Sequence, residues 1–186
     1  MLLSVLATLV SVGVGQAEMR ILTLDPAATQ IVFRLGSTLH SVEGNAPLSR
    51  GEIHFDSGGG PASGEIVIDA RRATTGLSLR DEKMHEQVLD SARFPRIVFH
   101  AQRLDVKARE AKSAEIELSG TLELLGKEHP MVLPARLTSA DGERIEIETR
   151  ATLPYVDWGL TDMSNFLLHV DKEVTVDVHT AGLLRQ

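Results

Sequence analysis

The seven histidines of this chain are the residues that could bind a metal ion or relay a proton. Their spacing matches no zinc helix motif, and the chain has no cysteine to complete a mixed site. Serine, histidine and aspartate all occur, but without the Gly-x-Ser-x-Gly turn of a hydrolase nucleophile. Glu115, Glu117 and Glu123 alternate with apolar residues, which is typical of a solvated strand face. We therefore expect no catalytic residues, no metal and no cofactor.

Charge and cysteine content exclude several other classes of protein. The 186 residues include 26 acidic and 19 basic side chains, which gives a net charge of −7. An acidic chain without a basic cluster is unsuited to nucleic acid, because phosphate binding requires lysine or arginine. The absence of cysteine excludes disulfides, thiol catalysis and the cysteine-linked anchor of a lipoprotein. The sequence is compatible with a homodimer but does not predict one.

The first 17 residues have the character of a secretory signal. They carry no charged side chain, and their apolar run is too short for a transmembrane helix. Gly15 and Ala17 supply the small residues expected before a cleavage site. We therefore predict a signal peptide at 1–17, a single mature domain at 18–186 and a periplasmic or secreted location, without stable membrane insertion once the signal is cleaved.

Most of the remaining sequence alternates between apolar and polar residues, the pattern of strands with one buried face. Glycine-rich turns, including an Asp141-Gly142 hairpin signal and a tight connection over 126–130, separate the segments. This spacing predicts an all-β fold of about eight antiparallel strands, either a sandwich or a closed barrel. The strand candidates are Thr29–Leu35, Gly51–Asp56, Gly64–Ala70, Arg96–Leu104, Glu115–Leu125, Met131–Thr138, Arg144–Leu153, Phe166–Val170 and Glu173–His179.

One segment, at about 78–92, departs from the strand pattern. Met84 and Val88 are four residues apart with charged residues between them, which predicts a short amphipathic helix. A Phe-Pro step ends this helix and leads into the next strand. A nearly all-β chain with a single helix of this kind suggests a barrel whose end or wall the helix covers.

Polar residues of the helix suggest how it begins and what it contacts. Ser78 lies three residues before Asp81, a spacing that resembles a capping box. Arg80 and Asp81 could form an ion pair at the start of the helix. His85 could hydrogen-bond the polar head of a ligand, although a solvated histidine is the simpler interpretation.

Several stretches, in order along the chain, together cover nearly all of the mature chain, although no single motif among them is diagnostic. They are Gly51-Glu52-Ile53-His54-Phe55-Asp56 after Gly44 in a loop, Arg80-Asp81 through Phe94-Pro95-Arg96-Ile97-Val98-Phe99, Gly120-Thr121-Leu122-Glu123-Leu124-Leu125-Gly126-Lys127-Glu128-His129-Pro130, Trp158-Gly159-Leu160, and Glu173-Val174-Thr175-Val176-Asp177-Val178. This ordered set resembles the YceI-like family of secreted, lipid-binding proteins. The resemblance implies an extended lipocalin-like barrel that holds a polyisoprenoid, a polyprenyl quinone or a fatty-acyl lipid without catalysis.

The inward-facing aliphatic side chains are the candidate ligand contacts. The same alternation would also fit a ligand-free, packed barrel acting as a stress-response or interaction module of the cell envelope. Periodicity does not distinguish a cavity from a filled core. Trp158 could line the pocket or plug one end of the barrel. The candidate ligand-binding residues are Ile31, Phe33, Ile53, Phe55, Ile66, Ile68, Met84, Val88, Leu118, Leu122, Leu124 and Trp158.

Overall fold

The computed structural model describes residues 18–139, 143–166 and 168–186. The predicted signal peptide at 1–17 and the predicted Asp141-Gly142 hairpin lie outside the described residues. Within the described part, the strands are β1 (Met19–Leu24), β2 (Gln30–Leu35), β3 (Val42–Asn45), β4 (Leu48–Asp56), β5 (Gly60–Asp69), β6 (Arg96–Arg109), β7 (Ser113–Leu124), β8 (Lys127–Ser139), β9 (Arg144–Leu153) and β10 (Val174–Arg185).

Eight of these strands form a closed antiparallel barrel, as predicted. The strand order around the barrel is β1, β4, β5, β6, β7, β8, β9 and β10, and β10 then pairs with β1 to complete the circle. Closure pairs Ile21 through Leu24 with Arg185 through Gly182. It pairs the edges of β1 and β10 with each other, and exposed edges there would otherwise invite edge-to-edge aggregation.

The remaining two strands extend the barrel wall along one edge of β10. The first half of β10, Thr175–His179, pairs with β2, and β2 in turn pairs with β3. The second half of the same edge pairs with β1. β2 and β3 thus lengthen the barrel beyond the end of β1, which agrees with the extended lipocalin-like architecture implied by the resemblance.

The sequence-based strand assignment was wrong at one segment and incomplete at two. In the described part of Phe166–Val170, Val170 forms only an isolated bridge to Ser37. The N–H of Val170 donates to the Ser164 hydroxyl at 2.9 Å, a local hydrogen bond that competes with strand pairing. The sequence analysis also missed β1 and β3, both of them short.

Gly44 lies within β3 rather than in the predicted loop, and its side of the strand is buried. It pairs with Phe33 on β2. A Cβ atom at Gly44 would lie 2.2 Å from the Phe33 ring, so glycine is the residue that lets this ring cross the neighbouring strand. Phe33 is also one of the residues that line the interior of the barrel.

The predicted helix begins at Ser78, as expected, and continues without interruption to Val88. The α-helix α1 (Ser78–Lys83) passes into a π-helical turn at Met84–Val88, in which the Leu89 N–H donates to the Met84 carbonyl at 2.9 Å. The capping-box prediction was wrong, because Leu77 occupies the N-cap position without a side-chain hydrogen bond. Asp81 instead accepts hydrogen bonds from Thr75, which lies before the helix.

A two-residue turn joins β7 to β8, so the tight connection predicted at 126–130 lies instead at Leu125 and Gly126. Leu124 pairs with Lys127, and Leu125 and Gly126 between them both have positive φ angles, 52° and 70°. This is the geometry of a tight hairpin turn. His129 and Pro130 therefore belong to β8 and not to a loop.

The apolar side chains of the barrel form two buried clusters. The larger cluster follows the interior of the barrel, with Ile53, Phe99 and Leu104 among its least exposed members. The smaller cluster consists of Leu124, Tyr155 and Leu160, with Val88 and Leu89 packed against it. In the described residues, no helix is long and apolar enough to cross a membrane.

Candidate functional site

The inward faces of the barrel strands surround a central cavity of about 590 Å³. Alternation along each strand directs every second side chain into this space. On β7 the buried positions are Ile116, Leu118, Gly120, Leu122 and Leu124, and the residues between them are less buried. The interior is therefore lined by aliphatic side chains and is not completely filled by them.

Eleven of the twelve candidate ligand-binding residues line the cavity. Their placement supports the predicted register of each strand and of the helix, although ligand contact itself stays a prediction. These residues are Ile31, Phe33, Ile53, Phe55, Ile66, Ile68, Met84, Val88, Leu118, Leu122 and Leu124.

Trp158 is the twelfth candidate, and it lies beside the cavity in the turn that follows β9. It lines a separate outer groove of about 500 Å³. Its ring stacks on His129 of β8, with the ring centroids 4.4 Å apart and the planes 11° from parallel. Its contact with a ligand stays a prediction.

The outer groove lies where β8 and β9 stop pairing. Their described pairs extend from Ser139 with Ile145 to Ala135 with Thr149 and end before Pro134. Proline has no N–H to donate to a neighbouring strand, so it is usually found at a sheet edge. Met131 and Ala151 line both the groove and the cavity, and the barrel wall is therefore thin at this point.

Sequence reasoning missed several residues that line the cavity. Val174, Val176 and Val178 showed the strand alternation that could have placed them there. Leu22 and Leu24 belong to β1, a strand that the sequence analysis did not assign.

Three long connections meet at one end of the barrel, which we call the capped end. They are the described parts of 36–41, 70–95 and 154–173, which join β2 to β3, β5 to β6 and β9 to β10. The antiparallel order of the strands brings all three to the same end. The polar residues that these connections contribute to the cavity lining are Ser37, His40, Thr75, Arg80, Lys83, Tyr155 and Asn165.

Thr75 links Arg80 and Asp81 in place of the predicted ion pair. The Arg80 guanidinium donates to the Thr75 hydroxyl at 2.8 Å and to its carbonyl at 2.9 Å. Asp81 accepts from the N–H of Thr75 at 2.7 Å and from the Thr74 hydroxyl at 2.7 Å. Hydrogen bonds from the Thr75 and Thr74 side chains lower the pKa of Asp81. This network ties the start of α1 to the chain before it.

Histidines on the outer faces of the strands contact neighbouring carboxylates. His100 lies 3.5 Å from Glu65 and 3.7 Å from Glu123, and His54 lies 2.9 Å from Glu52. Nδ1 of His85 lies 2.9 Å from the Ser91 hydroxyl, and His85 is not among the residues that line the cavity. Among the described residues, no group of three or more histidine, aspartate or glutamate side chains has the geometry of a metal site.

The sequence matches the profile of the YceI-like domain over residues 22–181. The chain belongs to the YceI-like domain family. The matched range begins within β1 and ends within β10, so it contains β2 to β9 completely and part of β1 and β10. A comparison with curated protein sequences gave no match.

Solved structures share the YceI-like fold at low sequence identity. A polyisoprenoid-binding domain from Saccharophagus degradans, implicated in plant cell wall breakdown, superposes with a TM-score of 0.68 at 16% identity, covering 87% of this chain and 97% of that one. Burkholderia cenocepacia BcnA gives a TM-score of 0.64 at 14% identity, with 85% and 98% covered. The Campylobacter jejuni YceI protein gives 0.58 at 15% identity, with 78% and 86% covered.

Proposed function

We propose that this YceI-like domain is a secreted or periplasmic, non-enzymatic carrier that holds one long apolar molecule in its cavity. The ligand classes that fit are a polyisoprenoid, a polyprenyl quinone and a fatty-acyl lipid. The observation that carries this proposal is the aliphatic cavity of about 590 Å³ at the centre of the barrel. Its volume falls within the range of roughly 300–1,000 Å³ that is usual for small-molecule sites.

The lining of the cavity favours an apolar guest. Leucine, isoleucine and valine side chains offer water few hydrogen-bond partners. A long apolar guest would bring these side chains into contact with apolar atoms, whereas the ligand-free alternative requires a filled interior.

Binding a long chain also supplies its own driving force. Each buried methylene contributes about 0.8 kcal/mol, so ten contribute about 8 kcal/mol before the costs of association are subtracted. Met84, contributed by the π-helical turn, suits a guest of variable shape because its side chain is flexible and polarizable. The name of the Saccharophagus degradans relative, a polyisoprenoid-binding domain, adds support for the ligand class.

The proposed location rests on the charge-free stretch 1–17. The proposal is tested by expressing the full chain in a Gram-negative host and purifying the protein from the periplasm. N-terminal sequencing should give a start near Glu18, and organic extraction should release a long-chain lipid in about equimolar amount. Retention of Met1 would contradict export by a cleaved signal, and an extract without lipid would contradict the carrier function.

A further inference from the structure

The barrel wall is split between β8 and β9, on the side of the capped end. The pairs between these strands extend from Ser139 with Ile145 to Ala135 with Thr149 and then stop. Beyond that point β8 remains paired with β7, and β9 remains paired with β10 as far as Leu153. Both strands therefore keep their regular structure while they separate from each other, which is not the behaviour of strands that fray at their ends.

The register of the existing pairs identifies the pairs that are missing. The next ones would be Pro134 with Arg150, Leu133 with Ala151, Val132 with Thr152 and Met131 with Leu153. None of these four pairs is formed. The outer groove lies in their place, since Val132, Thr152 and Arg150 all line it.

Two prolines on β8 explain why the wall does not close here. Pro130 and Pro134 are four residues apart, so their nitrogen atoms face the same edge of the strand. Pairing with β7 continues through both prolines, so the edge that lacks these two N–H donors is the one that faces β9. Closing the split would therefore form few hydrogen bonds, and the sequence itself weakens the wall at this point.

The cavity and the outer groove are separated only by a thin layer of side chains. Met131 and Ala151 line both spaces. Ala151 has no side-chain atom beyond Cβ, whereas the Met131 side chain is long, unbranched and flexible. A change of rotamer at Met131 can therefore open or close a passage between the two spaces, without breaking any pair between strands.

The rim of the outer groove suits an apolar chain better than the rim of the capped end does. Among the described residues that line the groove, only Arg150 is charged, and its guanidinium pairs with Asp177. Trp158 is part of the same rim and stacks on a neighbouring ring of β8. At the capped end, by contrast, the cavity lining includes the cations Arg80 and Lys83. An apolar chain passing those groups would displace their hydration.

We propose that the outer groove is a side portal through which the long apolar guest enters and leaves the cavity, with Met131 as the gate. The guest passes between β8 and β9, where the barrel has no pairs to break. This inference rests on the proposed function and adds the route by which the guest exchanges.

A reversible cross-link across the portal tests this route. Val132→Cys and Thr152→Cys are combined, since both side chains are exposed, line the groove and lie opposite each other in the continued register. The chain has no other cysteine, so a short bis-methanethiosulfonate reagent joins only these two. Delipidated protein is mixed with diphenylhexatriene, an apolar dye, in a stopped-flow fluorimeter, and release is followed on displacement by excess squalene.

The cross-link should slow both uptake and release of the dye by about tenfold or more, because it blocks the passage. It should leave the amount of dye bound at equilibrium unchanged, since a portal alters the barrier and not the bound state. Dithiothreitol removes the cross-link and should restore both rates.

The matched control is a cross-link between the same two strands where they are paired. Thr138 and Glu146 form one of the existing pairs, both are exposed, and neither lines the cavity or the groove. The combination of Thr138→Cys and Glu146→Cys, treated with the same reagent, should exchange the dye at the wild-type rates. This control separates closure of the portal from a general stiffening of the barrel.

Met131→Ala tests the gate without any cross-link. Removing the long side chain should speed up uptake of the dye. Leu137→Ala removes another inward side chain of β8, at a position where β8 and β9 are paired, so it should leave the uptake rate nearly unchanged.

Three results would overturn the inference: unchanged rates in the cross-linked portal, equal slowing by the control cross-link, and uptake by Met131→Ala that is no faster than uptake by Leu137→Ala. If the wild type binds the dye and any of these results is found, the carrier function stands and only the portal fails. If the wild type binds neither the dye nor squalene, both proposals fail.

Discussion

Leu122 and Glu123 are adjacent on β7 but face opposite sides of the barrel wall. Leu122 is 6% exposed and lines the cavity. The Glu123 side chain is 45% exposed and lies on the outer face near His100. Because side chains alternate along a strand, a shift of one residue in register would exchange their environments. Substitutions at these two positions therefore test which side chains of β7 face the cavity.

Leu122→Glu should abolish ligand binding or folding, while Glu123→Leu should do neither. A carboxylate directed into the aliphatic cavity loses its hydration without gaining a partner, at a cost of about 3–5 kcal/mol in stability. A leucine on the outer face changes stability by only about 0.5 kcal/mol. Thermal melts and lipid extraction of both variants provide the measurement, and equal tolerance at the two positions would show that the assigned register is off by one residue.

Asp177 connects three strands on the outer surface of the barrel. It lies on β10 and accepts hydrogen bonds from Arg150 on β9 and Arg34 on β2. The hydrogen bond from Arg150 is the main cause of a lowered pKa at Asp177, and the charges of Arg150 and Arg34 add to it. A lowered pKa in the folded state stabilises the protein above the ordinary aspartate pKa, and this contribution disappears as the pH falls through the lowered value.

Asp177→Asn should therefore lower the melting temperature at pH 7 and have progressively less effect below about pH 4. The asparagine keeps a similar shape but loses the charge that both arginines contact. Melting curves of wild type and variant between pH 7 and pH 2 measure the difference. A difference that stays constant over this range, or that grows on acidification, would contradict the role of the Asp177 charge.

At the scale of elements, the sequence predicted the start of the helical segment correctly but not the hydrogen bonds at its N-terminus. The break in strand alternation was enough to place Met84 and Val88 at the cavity, because residues four apart share a helix face. The capping of its N-terminus was mispredicted, because Asp81 accepts hydrogen bonds from Thr74 and Thr75, which precede the helix. Local spacing does not reveal which of several nearby hydroxyls a carboxylate selects.

Val88→Trp tests whether this segment borders a ligand site or plugs the barrel. Val88 lines the cavity and also packs against the cluster of Leu124, Tyr155 and Leu160. With cavity space available, the larger ring should leave the melting temperature of the empty protein nearly unchanged and weaken uptake of a long-chain lipid. In a tight plug, overpacking would cost about 1–3 kcal/mol of stability with or without lipid.

Leu79→Trp is the matched control on the same helix. Leu79 is 78% exposed and does not line the cavity, so its replacement should alter neither uptake nor stability. A large loss of stability in empty Val88→Trp, together with normal behaviour of Leu79→Trp, would identify the helix as a plug and favour the ligand-free alternative.

At the scale of the whole molecule, the closed barrel was predictable from alternation but the means of closure was not. Regular alternation in segments such as β7 and β9 predicts an all-β fold with one buried face. Closure depends on β1 pairing with the last residues of β10, at the opposite end of the sequence. No local pattern encodes such a pairing, and β1 was accordingly missed.

The candidate site likewise contains residues that strand alternation predicts and residues that it does not. Residues within strongly alternating strands, such as Ile53 and Leu118, could be placed in the interior from the sequence. Tyr155 could not, because it lies in a turn after β9, where strand periodicity no longer applies. Tyr155 is buried because it packs against Leu124 and Leu160. This packing depends on the tertiary fold and has no signature in the local sequence.

Native mass spectrometry of the exported protein tests the central claim most directly. The cavity should retain one long apolar molecule, so the folded protein should carry a single adduct that is lost on denaturation. After delipidation, the protein should take up one squalene molecule per chain, while Leu122→Glu should take up none. A folded protein that has no adduct as purified and binds no squalene after delipidation would contradict the account of this barrel as a carrier.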